Sequence, residues 1–173
     1  MVITVVTLAF VLTFFLLYHH EFFAFVWFFL SASADKGLRR HKQALLQDLR
    51  GVVVEIGPGR GSNLKYYCPD LVRKLILIEP NPMLHSAIRS EAQKQGLTVE
   101  IYSTSAEHID LPANSVDHVV STLVLCSVPY ENEALREIFR ILVLGGTLAF
   151  IEHVGDTPGS LRRARTFRSC LHP

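Results

Sequence analysis

The sequence predicts an α/β fold with a parallel sheet of about five strands, preceded by an apolar N-terminal segment. Short runs of β-branched and aliphatic residues alternate with longer segments of helical periodicity, which is the pattern of strands joined by helical crossovers. A glycine-rich turn follows the first of these runs, and an acidic residue closes the second. Unbroken apolar runs of this kind indicate strands that are covered on both faces.

The predicted elements follow one another from residue 36 to residue 152. The predicted strands are residues 52–56, 75–78, 99–102, 116–122 and 147–152, and the predicted helices are residues 36–49, 62–67, 82–95 and 131–144. Gly96 ends the third helix in the manner of a C′ glycine, and Gly145-Gly146 stops the fourth. Strands that alternate with helices in this way form a parallel sheet with right-handed crossovers.

Composition favours no particular class of charged partner. The chain of 173 residues has a formal net charge of +1, so overall charge favours neither a nucleic-acid partner nor an acidic substrate. The three cysteines, Cys68, Cys126 and Cys170, lack the spacing of a disulfide framework or a zinc site. We therefore expect no metal and a reducing compartment.

Residues 1–30 are predicted to be a membrane anchor. Residues 1–18 carry no charge and, as a helix, would span about 27 Å, close to the hydrocarbon thickness of a bilayer. His19, His20 and Glu21 interrupt this run, and residues 22–30 are apolar again. A single membrane helix and a hairpin or in-plane helix both fit the pattern. A cleaved signal peptide is disfavoured because no positive residue precedes the run.

The glycine-rich turn joins the first strand to the following helix. It reads Glu55-Ile-Gly57-Pro58-Gly59-Arg-Gly61. Glycines without a Cβ let a ligand approach the backbone, and this crevice lies at the carboxyl ends of the strands. The spacing is GxGxG rather than the GxGxxG of dinucleotide sites. A ligand-free tight turn and an NAD-binding module are the competing interpretations.

Glu79 closes the second strand about twenty residues after the turn, which is the length of one βα unit. A carboxylate at this position accepts hydrogen bonds from the two hydroxyls of a ribose. The alternative is a solvated acid at a strand end. Together the turn and the acid predict a nucleoside-containing cofactor.

The chain resembles the class I S-adenosylmethionine-dependent methyltransferases, which have a Rossmann-like sheet. The resemblance covers about residues 37–155, and its features occur in the family's order: the turn at residues 54–61, Glu79, residues 105–107, the fourth strand at residues 117–128, and the Gly-Gly turn after residues 138–144. It implies S-adenosyl-L-methionine as the cofactor. The implied cofactor-binding residues are Glu55, Gly57, Pro58, Gly59, Gly61, Asn63, Glu79, Pro80, Asn81, Ser105, Ala106, Glu107, Thr122 and Leu123.

A closer resemblance links the chain to the membrane-anchored thiol methyltransferases of the methyltransferase-like seven group. It rests on the residues after the glycine turn, on Pro80-Asn81-Pro82, on residues 122–128 and on residues 151–154. It implies attachment to the endoplasmic reticulum or to lipid droplets, with the catalytic domain facing the cytosol. It also implies a small-molecule acceptor such as an alkyl thiol.

The methyl acceptor requires a pocket and a way to lose its proton, because the thiolate is the nucleophilic form of a thiol. No dedicated base is evident from the sequence. Cys126 follows the fourth strand and His153 ends the fifth, so both are candidates for the acceptor pocket, and His153 is a candidate for deprotonating the acceptor. A small core cysteine and a polar histidine at a strand end are the plainer interpretations.

The domain is predicted to span residues 36–155, followed by a basic tail at residues 156–173. The family continues beyond its fifth strand with two more strands, whereas this tail is polar, rich in arginine and expected to be irregular. Strand five would then have an unpaired edge. The alternative function is therefore a truncated, inactive membrane-bound pseudoenzyme or isoform that methylates thiols poorly or not at all.

Overall fold

A computed structural model describes residues 37–153 and the backbone of residues 164–170. The chain divides into two compact units, Met1–Arg39 and Arg40–Pro173, and the sheet belongs to the second. The predicted anchor at residues 1–30 lies outside the described residues. Within the described ranges, every helix is too short or too polar to cross a bilayer.

The centre of the fold is a six-stranded sheet with the order β3-β2-β1-β4-β5-β6. Its strands are β1 (Gly51–Ile56), β2 (Val72–Ile78), β3 (Val99–Tyr102), β4 (Val116–Thr122), β5 (Leu142–His153) and β6 (Ala164–Cys170). The first five are parallel, as the sequence predicts. Because β1 pairs with both β2 and β4, the strand order reverses beside β1, and the carboxyl ends of these strands form the crevice where ligands bind in such sheets.

Three α-helices are described: α1 (residues 37–46) precedes β1, α2 (His85–Lys94) connects β2 to β3, and α3 (Glu131–Ile141) connects β4 to β5. The predicted helix at residues 62–67 is a single 3-10 turn, Leu64–Tyr66. The predicted end of the last helix at residue 144 is wrong, because Leu142 is already extended and pairs with Val116 in the sheet. An apolar Leu-Val-Leu run suits a helix and a buried strand equally, and here pairing with β4 decides.

The prediction of an irregular basic tail and an unpaired fifth strand is wrong for residues 164–170. They form β6, which runs antiparallel to β5 in a continuous register from Thr147↔Cys170 to His153↔Ala164. An unpaired strand edge presents a row of amide and carbonyl groups that favours pairing with an additional strand. The tail lacks the alternation of apolar and polar side chains from which a strand is predicted. Backbone pairing does not require this alternation, so the sequence did not predict β6.

The core on one face of the sheet is built by α3. Ala134, Ile138 and Ile141 of this helix are fully buried in one cluster that includes Val119 of β4 and Leu148 of β5. The helix begins with Glu131 and Glu133 and has Arg140 in its last turn, which complements the helix dipole. Packing of α3 therefore fixes the relative positions of β4 and β5, whose carboxyl ends form one side of the crevice.

Deleting residues 164–173 should destabilise the sheet and promote association. The deletion removes the partner of β5, and each lost backbone hydrogen bond contributes about 0.5–1.5 kcal/mol net. We expect the melting temperature to fall by at least about 5 °C and the exposed edge to cause concentration-dependent oligomers. Calorimetry and light scattering in detergent measure both effects. A variant with residues 164–170 replaced by Gly and Ser controls for chain length; unchanged stability in both variants would contradict the pairing.

Candidate functional site

The glycine turn at the end of β1 adopts backbone conformations that favour glycine. Gly57 and Gly59 both have φ near +59°. A Cβ placed on Gly57 would lie 2.7 Å from the γ-carbons of Val124, so this glycine lets the segment after β4 approach the turn. A Cβ placed on Gly59 would meet nothing within 4 Å. The backbone at Gly59 thus borders open space, which a ligand at the crevice can occupy.

Glu79 lies beside this turn at the end of β2. Its carboxylate accepts hydrogen bonds from the backbone amide of Gly59 at 3.1 Å and from that of Asn81 at 3.0 Å. Burial raises the pKa of Glu79, and the two amide hydrogen bonds and His85 oppose this effect. Each carboxylate oxygen retains acceptor capacity after its amide contact. The structure therefore brings the predicted acid and the glycine turn into direct contact.

Glu55 holds the segment that follows the turn. It is buried, and its two oxygens accept hydrogen bonds from Asn63 Nδ2 at 2.8 Å and Tyr67 Oη at 2.7 Å. Desolvation raises the pKa of Glu55, while these hydrogen bonds and the charge of Lys42 oppose the change. Burial and the neighbouring Glu55 also raise the pKa of Tyr67 well above its usual value, so Tyr67 remains the donor.

Asn63 joins the two sides of the crevice. Its Nδ2 also donates to Thr122 Oγ1 at 2.8 Å, so one amide group links the ends of β1 and β4. Its carbonyl oxygen Oδ1 is buried and, among the described residues, has no hydrogen-bond partner. A buried acceptor without a partner fits a donor carried by a ligand. The α-ammonium group of S-adenosyl-L-methionine is a donor of this kind.

The segment after β4 is held in a strained conformation next to β5. Leu123 has φ near +59°, unusual for a residue with a branched side chain. Its amide donates to the carbonyl of Ile151 at 2.7 Å. Glu152 Oε1 accepts hydrogen bonds from Ser121 Oγ, Val124 N and Leu125 N at 2.8, 3.0 and 3.1 Å. Sequence reasoning missed Glu152, although its place at the end of the fifth strand marks it as a crevice residue.

The remaining predicted residues occupy different positions around the crevice. Residues 105–107 follow β3, whose Tyr102 carbonyl accepts from the Glu79 amide at 3.0 Å. Ala106 is buried in the core, whereas the side chain of Ser105 hydrogen-bonds Glu107. Pro58 and Gly61 are buried within the turn, and Pro80 is exposed. The ligand contacts of these residues therefore stay predictions. The sheet order nevertheless places the ends of β1, β2 and β3 side by side.

For the two candidate residues of the acceptor pocket, the structure describes the side chain of Cys126 but only the backbone of His153. Cys126 is exposed in the short turn Leu125–Ser127, with its sulfur 3.8 Å from Ser127 Oγ. The backbone of His153 ends β5 opposite Ala164, and its side chain lies outside the described part of the chain. The acceptor roles of both residues stay predictions.

The crevice, the parallel sheet and the acid beside a glycine turn define a nucleoside-cofactor-binding α/β domain. The profile of the methyltransferase domain family matches residues 54–150, more than half of the chain, so the chain belongs to this family. The match runs from β1 to β5 and includes the turn and Glu79. The family match confirms the predicted enzyme class, a methyltransferase. It also confirms the predicted cofactor, S-adenosyl-L-methionine.

Relatives of known activity agree with the predicted resemblance. Thiol S-methyltransferase TMT1B of Rattus norvegicus is 33% identical over 163 residues, covering 88% of this chain and 65% of the relative. Thiol S-methyltransferase TMT1A of Homo sapiens is 41% identical over 105 residues, covering 59% of this chain and 42% of the relative. The resemblance to thiol methyltransferases is confirmed. The chain spans less than two thirds of the length of both relatives.

Solved structures share the fold. The [4+2]-cyclase SpnF has a TM-score of 0.62 and 23% identity, covering 70% of this chain and 47% of SpnF. A SAM-dependent methyltransferase from Aquifex aeolicus has a TM-score of 0.55 and 23% identity, covering 73% of this chain and 68% of the other. Because a cyclase and a methyltransferase share this architecture, the fold alone does not define the reaction.

Glu55→Gln should change how stability depends on pH. As pH rises from 4.5 to the raised pKa of Glu55, the unfolded chain loses its proton first, so the free energy of unfolding falls across this window and stays lower above it. Gln cannot ionise, yet its amide can accept from Asn63 and donate to the Tyr67 hydroxyl. We expect the difference, variant minus wild type, to grow with pH by about 1.4 kcal/mol per unit of raised pKa.

Urea unfolding between about pH 4 and pH 8 measures this difference. The exposed Glu100, which forms a salt bridge with Lys74 at 2.9 Å, supplies the control variant Glu100→Gln. Stability curves for Glu55→Gln and wild type that run parallel over the whole range would show that burial of Glu55 does not affect its titration.

Proposed function

We propose that this chain is an S-adenosyl-L-methionine-dependent methyltransferase that methylates small thiols at a membrane. The observation that carries the proposal is the contact between Glu79 and the amide of Gly59, which places a carboxylate directly beside a glycine turn open to a ligand. Both features lie at the point where the strand order reverses.

The side chains around the crevice fit the three parts of the cofactor. Glu79 would accept from the ribose hydroxyls, and the buried Asn63 Oδ1 would accept from the α-ammonium group. Ser105 and Glu107, at the end of β3, would border the adenine. When bound, S-adenosyl-L-methionine supplies an electrophilic methyl group on a sulfonium centre. The chain contributes position and orientation, which are worth several kcal/mol in an in-line displacement.

The thiol acceptor is proposed from the relatives, which are named thiol S-methyltransferases. The described part of the chain offers an apolar border for a small acceptor, since Val124 and Val128 pack against the core beside the crevice. A small alkyl thiol is neutral in its protonated form. The formal net charge of the chain is only +1, which agrees with a neutral acceptor.

The membrane location is proposed from residues 1–30, whose uncharged first eighteen residues match the thickness of a bilayer. We propose the endoplasmic reticulum or lipid droplets, with the crevice facing the cytosol. The first Lys and Arg follow the apolar segment, at residues 36–42, which favours a cytosolic domain.

The alternative of an inactive pseudoenzyme rests on an unpaired fifth strand and on the family's two further strands, which would supply part of the acceptor pocket. The pairing of β5 with β6 removes the first of these two arguments. The arrangement of Glu79, Asn63 and the glycine turn is also intact, so the described residues favour an active enzyme.

Glu79→Ala should weaken binding of S-adenosylhomocysteine at least tenfold and reduce thiol methylation in parallel. Hydrogen bonds to a charged group contribute about 1.5–3 kcal/mol each, and about 1.4 kcal/mol corresponds to a factor of ten. Calorimetric titration and transfer of a labelled methyl group to hexanethiol measure the two effects. Glu100→Ala, on the exposed face of β3, is the matched control. A folded Glu79→Ala protein with an unchanged dissociation constant would remove Glu79 from the site.

Residues 1–30 should carry a fluorescent reporter to membranes on their own. An apolar segment of this length partitions strongly into a bilayer, and replacing Leu8, Phe14 and Leu16 by Asp should abolish the effect. Fractionation followed by a carbonate wash distinguishes integral from peripheral attachment, and imaging with organelle markers identifies the compartment. A reporter that remains entirely in the soluble fraction would contradict the anchor.

A further inference from the structure

Glu152 differs from the buried Glu55 and Glu79, each of which has hydrogen bonds to both carboxylate oxygens. Glu152 Oε1 accepts three hydrogen bonds from the segment after β4, from Ser121, Val124 and Leu125. Oε2 is buried and, within the part of the chain that the structure describes, has no partner. A buried carboxylate oxygen without a donor is costly, and such atoms in native proteins mark ligand, water or catalytic contacts.

The position of Glu152 relates it to the acceptor rather than to the cofactor. The cofactor contacts proposed above lie at the ends of β1, β2 and β3, whereas Glu152 lies near the end of β5 and binds the segment after β4. Thr122 at the end of β4 connects the two groups of residues through Asn63. A ligand that spans the crevice from Asn63 would therefore bring its reactive group towards β4 and β5.

We propose that Glu152 Oε2 accepts the proton of the methyl acceptor, and that Oε1 holds the carboxylate in place. The inference rests on the proposed function. The S–H group of a thiol donates to Oε2; as the S–H bond breaks, the proton passes to the carboxylate. The freed sulfur electron pair forms the new bond to the methyl carbon, and the bond from that carbon to the sulfonium sulfur breaks with its electron pair.

The geometry explains how a carboxylate can serve this role. Three donors on Oε1 fix the rotation of the carboxylate, so Oε2 is presented in one direction without loss of side-chain entropy during the reaction. Proton transfer by a positioned group typically contributes 10²–10⁴-fold. This role is an alternative to deprotonation of the acceptor by His153, whose side chain lies outside the described part of the chain.

Glu152→Gln separates this role from a structural one. The Gln carbonyl can still accept from Ser121, Val124 and Leu125, but its amide group places a donor where Oε2 was an acceptor. We expect S-adenosylhomocysteine binding within about twofold of wild type and a loss of at least about tenfold in kcat/KM for hexanethiol near pH 7. The loss should shrink for thiophenol, a more acidic thiol that is largely thiolate at this pH.

The pH profile provides the second readout. With Gln at residue 152 only preformed thiolate reacts, so the rate with hexanethiol should rise about tenfold per pH unit below the thiol pKa. The wild-type profile should be shallower. Ser121→Ala removes one donor to Oε1 and is the control for a weakened segment; it should lower stability but keep the wild-type slope.

Several results would overturn the assignment. Equal kcat/KM and equal slopes for Glu152→Gln and wild type would exclude proton transfer to Glu152. An equal loss and an equal change of slope in Ser121→Ala, or a parallel loss of S-adenosylhomocysteine binding in Glu152→Gln, would show a structural role only. Wild-type protein that binds no S-adenosylhomocysteine and methylates no thiol would instead overturn the proposed function itself, and the inference with it.

Discussion

The crevice depends on one amide group, Asn63 Nδ2, which donates to both Glu55 and Thr122. The strand order reverses between β1 and β4, so the segments that leave these two strands lead towards opposite edges of the sheet. Without a bridge between the two strand ends, the glycine turn and the segment after β4 could move independently. Asn63 connects them, and the tight approach of Gly57 to Val124 is possible only while they stay together.

Three buried carboxylates lie at the same edge of the sheet as this bridge. Glu55, Glu79 and Glu152 are all nearly inaccessible to solvent, and desolvation raises the pKa of Glu55 and Glu79. A domain of this size is stable by only about 5–15 kcal/mol, so the burial of Glu55 and Glu79 is a substantial cost. Such costs are concentrated where a protein needs fixed acceptors facing a ligand. Their location at the ends of β1, β2 and β5 therefore supports a binding role for the whole edge.

The sequence predicts the parallel sheet and the pairing of the turn with Glu79 because both are determined by local pattern. The turn and the acid are separated by a single βα unit, so their proximity follows from topology alone. The helix end near residue 142 was not predictable, because an apolar Leu-Val-Leu run continues a helix or begins a strand with equal ease. Strand β6 was not predicted because its residues lack the alternation of a half-buried strand. The hydrogen bonds of Glu152 join residues that are 27 to 31 positions apart in the chain, which residue patterns do not encode.

The pairing of β5 with β6 also bears on the chemistry of the crevice. Glu152 lies near the end of β5, opposite Arg165 in the register with β6. An edge strand with one free side frays more readily than a strand paired on both sides. Fraying at residue 152 would release the three donors that hold Oε1, and the segment after β4 would lose its anchor. Strand β6 thereby stabilises the side of the crevice formed by β4 and β5, through the backbone of the strand that carries Glu152.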